Sequence, residues 1–180
     1  SSNPNTLQWN AAGWQVAGKG IKLINGVYAN EKLNNKLPNT YFDGSHMVFL
    51  AINSTLENFS FLKDTLSAQI NLQTNERGGL QVKKLKAYFK FTPDIMEFSN
   101  LDLQTNKRRL GNYYAMHFNS FGKDMGNFIE KVTLELHLKS SEVNSDDIAV
   151  FAPALKNWKK IFQISGDAKG TIQDFKAKNL

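Results

Sequence analysis

Histidines and carboxylates supply most metal-binding and acid–base chemistry in proteins. The chain has three histidines, His46, His117 and His137, which lie far apart in the sequence. None has a second histidine or a carboxylate at the i, i+4 spacing that places two ligands on one face of a helix. The adjacent Asp146 and Asp147 are explained as favourable charges at the start of a helix. We therefore predict no catalytic residue, no metal site and no cofactor.

Sites for phosphate or nucleic acid have equally weak support. Gly78-Gly79 has the composition of a hairpin turn, and no phosphate-binding loop or nucleophile elbow occurs in the sequence. Lys86 and Lys90 alternate with Phe89 and Phe91, which would place the charges and the rings on opposite faces of a strand, unlike a base-stacking platform. The net charge of +6 comes mainly from dispersed lysines, which are typical of a solvated surface. The sequence favours a non-enzymatic protein without a nucleic-acid partner.

The strongest pattern is an alternation of apolar and polar residues with a period of two. It runs through residues 66–72, 85–91, 114–118 and 132–138. This period sends apolar side chains to one face of a β-strand and polar side chains to the other. The residues predicted to form a common apolar groove are Leu66, Ala68, Ile70, Leu72, Leu85, Phe89, Phe91, Met116, Phe118, Val132, Leu134, Leu136 and Leu138.

Turn signals separate the alternating runs and predict an antiparallel, meandering all-β protein. Near Ser99–Asn100 the alternation slips by one residue, which fits either a β-bulge or a different register. With one face apolar, such a sheet must cover that face by closing into a barrel, by stacking on a second sheet or by holding something apolar. The turn signals are Asn25-Gly26, Asp43-Gly44, Arg77-Gly78-Gly79, Thr92-Pro93-Asp94 and Gly166-Asp167.

One segment departs from the strand pattern. Ser145 is suited to an N-cap, and Ile148, Phe151 and Leu155 follow at helical spacing, while Pro153 should end or kink the helix. We therefore predict one short helix. The predicted layout is a single domain with a weaker first unit over 1–44, strands over 45–144, the short helix over 145–157 and a terminal hairpin over 158–180.

The order and spacing of hydrophobic patterns connect three stretches of the sequence: HMVFLAINSTLENFSFLKDTLSAQINL, GGLQVKKLKAYFKFTPDIMEFSNLDLQTNKRRL, and NFIEKVTLELHLKSSEVNSDDIAVFAPALKNW with the following FQISGDAKGTIQDFKAKNL. Together they resemble consecutive pieces of TamB-type proteins, the translocation and assembly module proteins of the AsmA-like superfamily, in versions from Bacteroidetes-type bacteria. The resemblance covers roughly residues 45–180, and none of its elements is a catalytic signature.

The resemblance implies a setting and a function. TamB-type proteins are anchored in the inner membrane by an N-terminal helix and extend across the periplasm as an incomplete, taco-like barrel with an apolar interior. That shape implies a bridge for phospholipids towards the outer membrane, and the family is also tied to assembly of outer-membrane β-barrel proteins through a partner, TamA. The chain would then be an internal periplasmic fragment that binds phospholipid acyl chains, with the TamA-docking regions absent.

Two other functions remain open at this point. The chain could be a structural or chaperone-like module that guides outer-membrane proteins by strand pairing, or a closed small barrel that holds one apolar ligand, as lipocalins do. Uninterrupted alternation favours the open groove, since no converging polar groups mark a pocket for one ligand. The last strand, 171–180, is expected to be an open edge that a further hairpin would cover in a longer protein. Only Lys176 and Lys178 protect it, so we expect edge-to-edge self-association with the N-terminal strand or another copy.

Overall fold

The computed structural model describes residues 8–31, 46–106, 109–145 and 159–178. These residues form nine β-strands and one short helical segment. The strands are β1 Gln15–Glu31, β2 His46–Leu62, β3 Thr65–Glu76, β4 Gln81–Phe91, β5 Ile95–Thr105, β6 Arg109–His117, β7 Thr133–Asn144, β8 Ile161–Gly170 and β9 Phe175–Lys178. Between β6 and β7 lie α1 Phe121–Asp124, the 3-10 turn Met125–Asn127 and α2 Phe128–Lys131, which we call together the helical insert.

All nine strands belong to one antiparallel sheet, and their order in the sheet is their order in the sequence. β1 and β9 are the two outer strands and do not pair with each other, so the sheet is open. The predicted class, an open antiparallel all-β fold with one short helix, is confirmed. The helix lies over 121–131, where none was predicted; the predicted helix over 145–157 falls, apart from Ser145, outside the described residues.

Two predicted turns are confirmed as hairpin connections. Arg77-Gly78-Gly79 joins β3 to β4, and Gly79 adopts a φ of 101°, a left-handed conformation that glycine reaches without a steric penalty. Thr92-Pro93-Asp94 joins β4 to β5, and the Thr92 N–H donates to the carbonyl of Ile95 at 2.9 Å. The predicted turn at Asp43-Gly44 lies outside the described residues.

Two other predicted turns are wrong. Asn25-Gly26 lies inside β1 at a register shift, where Asn25 has a φ of 52°, so its left-handed backbone forms a bulge within the ladder instead of a chain reversal. Gly166-Asp167 lies inside β8, where Gly166 has a φ of 131° opposite a register shift in β7. The terminal hairpin therefore reverses over residues 171–174, between β8 and β9.

The slip near Ser99–Asn100 is a β-bulge. β5 carries one more residue than β6 between Ser99 and Leu101, and Asn100 has a φ of 52°. Asparagine is one of the few side chains that tolerate this region. The extra residue returns Leu101 to the face that Phe98 occupies, although the two are three positions apart.

The best-buried core lies where the helical insert meets the sheet. Phe118, Phe128 and Val132 are buried there, and Val132 has no solvent exposure. Met96 and Met116 of the sheet pack against this cluster. The insert is therefore held by hydrophobic burial, the dominant favourable contribution to folding.

Candidate functional site

Apolar side chains of consecutive strands line up in rows across the sheet, because cross-strand partners share a face. The first row joins strands β2 to β7, and the second joins β3 to β8. The first row is Phe61, Leu66, Phe91, Met96, Met116 and Leu134. The second row is Ala68, Phe89, Phe98, Tyr114, Leu136 and Ala168.

Two further rows lie beyond the second. The third begins with Leu56, Ile70 and Ala87 and, past the bulge in β5, continues as Leu101, Asn112 and Leu138. The fourth is Leu72, Leu85, Leu103 and Leu110. We call the surface formed by the four rows the apolar face.

Eleven of the thirteen predicted groove residues lie in these rows. The remaining two, Phe118 and Val132, lie just beyond the ends of β6 and β7, in the core beneath the helical insert. The predicted set omitted several residues of the apolar face on β5 and β6. The alternation of apolar and polar residues in these two strands indicated that they share this face. The omitted residues are Met96, Phe98, Leu101, Leu103, Leu110 and Tyr114.

An aromatic stripe runs along the second row. The ring centroids of Phe89 and Phe98 are 5.2 Å apart, and Phe98 stacks on Tyr114 at 6.2 Å with an interplanar angle of 21°. All three side chains are half-buried. Burial raises the pKa of Tyr114, so its phenol stays neutral throughout the neutral pH range. The stripe is thus an uncharged surface that can contact hydrocarbon.

The helical insert and Trp9 cover one end of the apolar face. The ring of Trp9 lies 4.4 Å from that of Phe91, and Phe91 lies 5.0 Å from Phe121 of the insert. Phe121 in turn lies 5.1 Å from Phe118. Leu134 also packs against the core beneath the insert. The first row is therefore largely occupied by the protein's own side chains.

Two carboxylates fix these covering elements by accepting backbone hydrogen bonds. Asp64 Oδ1 accepts from the N–H groups of Trp9 and Asn10 at 2.7 and 2.8 Å, which ties the N-terminal segment to the β2–β3 turn. Asp124 Oδ2 accepts from the N–H groups of Asn119 and Ser120 at 2.6 and 2.9 Å. Asp124 is buried, and it satisfies donors at the start of the insert that would otherwise lack a partner.

The opposite end of the apolar face is more polar. Thr74 and Glu76 continue the apolar-facing positions of β3, and both are buried. Thr74 Oγ1 donates to the carbonyl of Leu50 at 3.0 Å, and Glu76 Oε2 accepts from the N–H of Gly78. Burial raises the pKa of Glu76. The two ends of the face thus differ, with an aromatic cover at one and a buried carboxyl at the other.

The other face of the sheet carries polar and charged side chains. Gln69 and Asn71 of β3 and Lys86 of β4 are exposed there. Asp102 joins two cations on this face, accepting from Lys84 Nζ at 2.6 Å and from Arg109 Nε at 2.8 Å. The hydrogen bond from Lys84 is the main cause that lowers the pKa of Asp102. We call this surface the polar face.

The fold brings two of the three histidines together on the polar face, around one carboxylate. Glu135 accepts from Lys169 Nζ at 2.7 Å and lies 2.9 Å from His117 Nε2 and 3.0 Å from His137 Nε2. His137 Nδ1 lies 2.6 Å from Asp167 Oδ1. The bond from Lys169 is the main cause that lowers the pKa of Glu135 to about 2, and the bond to Asp167 is the main cause that raises the pKa of His137.

This arrangement is an ion-pair network on the surface. The ammonium group of Lys169 binds the Glu135 oxygen that faces His117. The positive charge beside this carboxylate therefore comes from a side chain of the protein. Among the described residues, no three histidines or carboxylates are placed to hold a metal ion. Sequence reasoning missed the cluster because its members lie on three strands and meet only through the register of β6, β7 and β8.

Within the described part of the chain, no helix has the length and apolarity needed to cross a membrane. Comparisons with protein-family models, curated proteins and solved structures find no match to this chain. The features of this protein that bear on its function are therefore the apolar face and the polar face of the sheet.

Proposed function

We propose that the apolar face is a non-enzymatic groove that binds phospholipid acyl chains and conducts lipid. The observation that carries the proposal is the continuity of the second and third rows from β3 to β7 and of the fourth row from β3 to β6. Several of their large side chains, such as Ile70, Phe89 and Phe98, are only half-buried, whereas Leu101 and Leu138 of the third row are buried. An apolar surface of this extent, backed by a polar face, is typical of a binding surface.

The chemistry of this surface fits hydrocarbon. Covering apolar surface stabilises a complex by roughly 25 cal/mol per Å². This interaction has no preferred direction, so an acyl chain could move from row to row at little cost. Tyr114 is the main polar group within the second row, and its neutral phenol adds no charge. The rows therefore suit a mobile chain better than one oriented ligand.

The resemblance to TamB-type proteins supplies the setting for this proposal. It implies a groove in the periplasm, as part of a bridge that supports outer-membrane biogenesis. The helical insert adds a feature to that picture, since it occupies the first row and ends the free apolar surface on that side. Lipid would then contact the second to fourth rows, and it would reach the first row only if the insert moved.

Lipid binding can be tested with a matched pair of variants on β3. Native mass spectrometry of the purified protein with phosphatidylethanolamine should show lipid adducts, and a fluorescent phospholipid should give a saturable affinity. Ile70→Asp places a carboxylate on the apolar face and should weaken binding roughly tenfold or more, because a charge beside hydrocarbon is strongly unfavourable. Asn71→Asp adds the same charge to the exposed polar face and should leave the affinity unchanged.

The outcome has to be separated from misfolding. Ile70→Asp removes apolar burial worth about 1.5–3 kcal/mol, so circular dichroism and urea unfolding must first show a folded protein. A folded Ile70→Asp variant that binds lipid as tightly as Asn71→Asp would contradict the groove. A single defined small-molecule adduct in place of phospholipids would favour a one-ligand site.

A strand-pairing module for outer-membrane proteins is the second candidate function. The specific observation in its favour is the open edge of β1, which spans 17 residues. Extended segments can add to such an edge through main-chain hydrogen bonds. Binding of an unfolded outer-membrane protein that persists in the Ile70→Asp variant would support this function over the groove.

A further inference from the structure

The long outer edge of β1 is exposed along its whole length. Among the described strands β1 pairs only with β2, and all its residues except Gly26 are exposed. Its apolar side chains project from both faces of the sheet: Leu23 is opposite Ser54 of the apolar face, whereas Ile24 points the other way. No proline interrupts the strand. Edges of this kind recruit further strands, because their outer backbone groups can pair.

β1 also breaks the rule that the second face of the sheet is polar. Ile24 and Val27 lie on that face with 68% and 67% of their surfaces exposed. Leu50 of β2 is their neighbour there, 47% exposed, whereas its partner on β3 is Asn75 and the next position on that face of β3 is Gln73. An apolar patch beside an open ladder indicates that a further strand covers this corner of the sheet.

The other edge is much less suited to pairing. β9 has four residues, and Lys176 on it is exposed. Lysine on an edge strand discourages close approach of another chain. β1 therefore offers the longer edge for association, and association through the C-terminal strand stays a prediction.

We propose that a second copy of this chain pairs with β1 in an antiparallel manner, about a twofold axis at Leu23. Leu23 is the midpoint of the strand, so this register pairs the greatest length of edge. The proposal goes beyond lipid binding and does not depend on it. A twofold contact uses the same surface on both copies, so the strand must be complementary to itself.

β1 meets that requirement in the centred register. Asn25 is an extra bulge residue in the strand, so beyond it the register moves by one and Val27 lies opposite Gly20, a small partner that leaves room for it. Lys22 lies opposite Ile24 and Lys19 opposite Tyr28, so no two lysines meet. Like charges directly opposite each other would weaken the pairing, and the centred register avoids them. These features favour a second copy over an unrelated strand.

A single introduced thiol tests the register, because the chain contains no cysteine. Leu23→Cys would place two thiols across the twofold axis, with Cβ atoms about 4.5–5.5 Å apart, within reach of a disulfide after small adjustment. Mild oxidation should give a covalent dimer. Lys176→Cys, on the exposed β9 edge, is the matched control and should stay largely monomeric.

Light scattering on two lysine variants separates edge pairing from stacking of faces. Val27→Lys should raise the dimer dissociation constant about tenfold or more, since it charges the pairing edge. Leu50→Lys alters the same apolar patch one strand inside the edge, and it should leave the dissociation constant within about threefold. Equal effects of the two variants would overturn edge pairing in favour of face stacking.

Two further results would overturn the proposal. One is a parent protein that stays monomeric at the highest concentrations reached. The other is a monomer that binds a synthetic amphipathic strand peptide at β1, which would assign the edge to a foreign strand. A dimer that is cross-linked by Leu23→Cys and weakened only by Val27→Lys supports it.

Discussion

Replacing Phe118 or Phe98 by alanine should separate the covered end of the apolar face from its open part. Phe118 is 6% exposed and packs beneath the helical insert, so Phe118→Ala removes a buried ring and leaves a cavity. Such changes cost about 3–5 kcal/mol. Phe98 is half-buried in the aromatic stripe, so Phe98→Ala should cost roughly half as much, about 1.5–2.5 kcal/mol. The two losses should therefore differ by ~2 kcal/mol.

Urea unfolding followed by circular dichroism measures this difference, provided that both variants keep the parent's slope with denaturant. A domain of this size has a total stability of about 5–15 kcal/mol, so the Phe118→Ala loss should be readily resolved. Lipid affinity should respond in the opposite order, with Phe98→Ala the more harmful. Equal losses of stability would mean that the insert does not cover Phe118 in solution, and the division of the apolar face would be wrong.

Three other predictions concern single features of the fold. Asp124→Ala leaves two backbone N–H groups at the start of the insert without their acceptor and should cost about 1–3 kcal/mol in urea unfolding, whereas a loss below ~0.5 kcal/mol would show that water replaces the carboxylate. Asn100→Val forces a β-branched residue to a φ of 52° and should cost about 1–2 kcal/mol, while Asn100→Gly should be nearly neutral; similar results for both would exclude a left-handed bulge. The Glu135 network should give stability a pH optimum in buffered unfolding experiments. The lowered pKa of Glu135 stabilises the fold above its ordinary value of 4.5, and this contribution is lost as pH falls towards about 2. The raised pKa of His137 stabilises the fold below 6.5, and this contribution is lost as pH rises through the folded value. The free energy of unfolding of the parent minus that of Glu135→Gln should fall between pH 5 and pH 2. A difference that stays constant over this range would refute the contribution of Glu135.

Strands such as β3, β4 and β7 could be predicted because each has one largely apolar and one largely polar face. In β3 and β7 the period of two is nearly unbroken, so side-chain direction follows from sequence alone. The bulge at Asn100 was also visible, because an extra residue changes the phase of the alternation. At Asn25 and Gly166 the same residue types suggested turns, since a left-handed residue can serve either a bulge or a reversal. Only the partner strand decides between them.

The helical insert was missed although its spacing is present in the sequence. Phe121, Met125, Phe128 and Val132 recur at intervals of four, three and four, which places them on one face of a helix. The preceding strand masked this pattern, since Phe118 continues its alternation. The Glu135 network had no comparable signal. Its partners come from separate strands, and no spacing rule relates residues that meet only through register.

The sequential order of the strands has a consequence for how the chain folds and how it could change in length. Each hairpin can form from residues close together in the sequence, so little loop entropy is lost before the first contacts appear. Stability in such a sheet approximates a sum over hairpins and their shared borders, as in linear repeat proteins. Duplication or loss of a hairpin at either border would then leave the remaining ladders in register. The insert is the exception, because it ties β4 to β7 through a common core, and this block should be the last part of the sheet to open in hydrogen exchange.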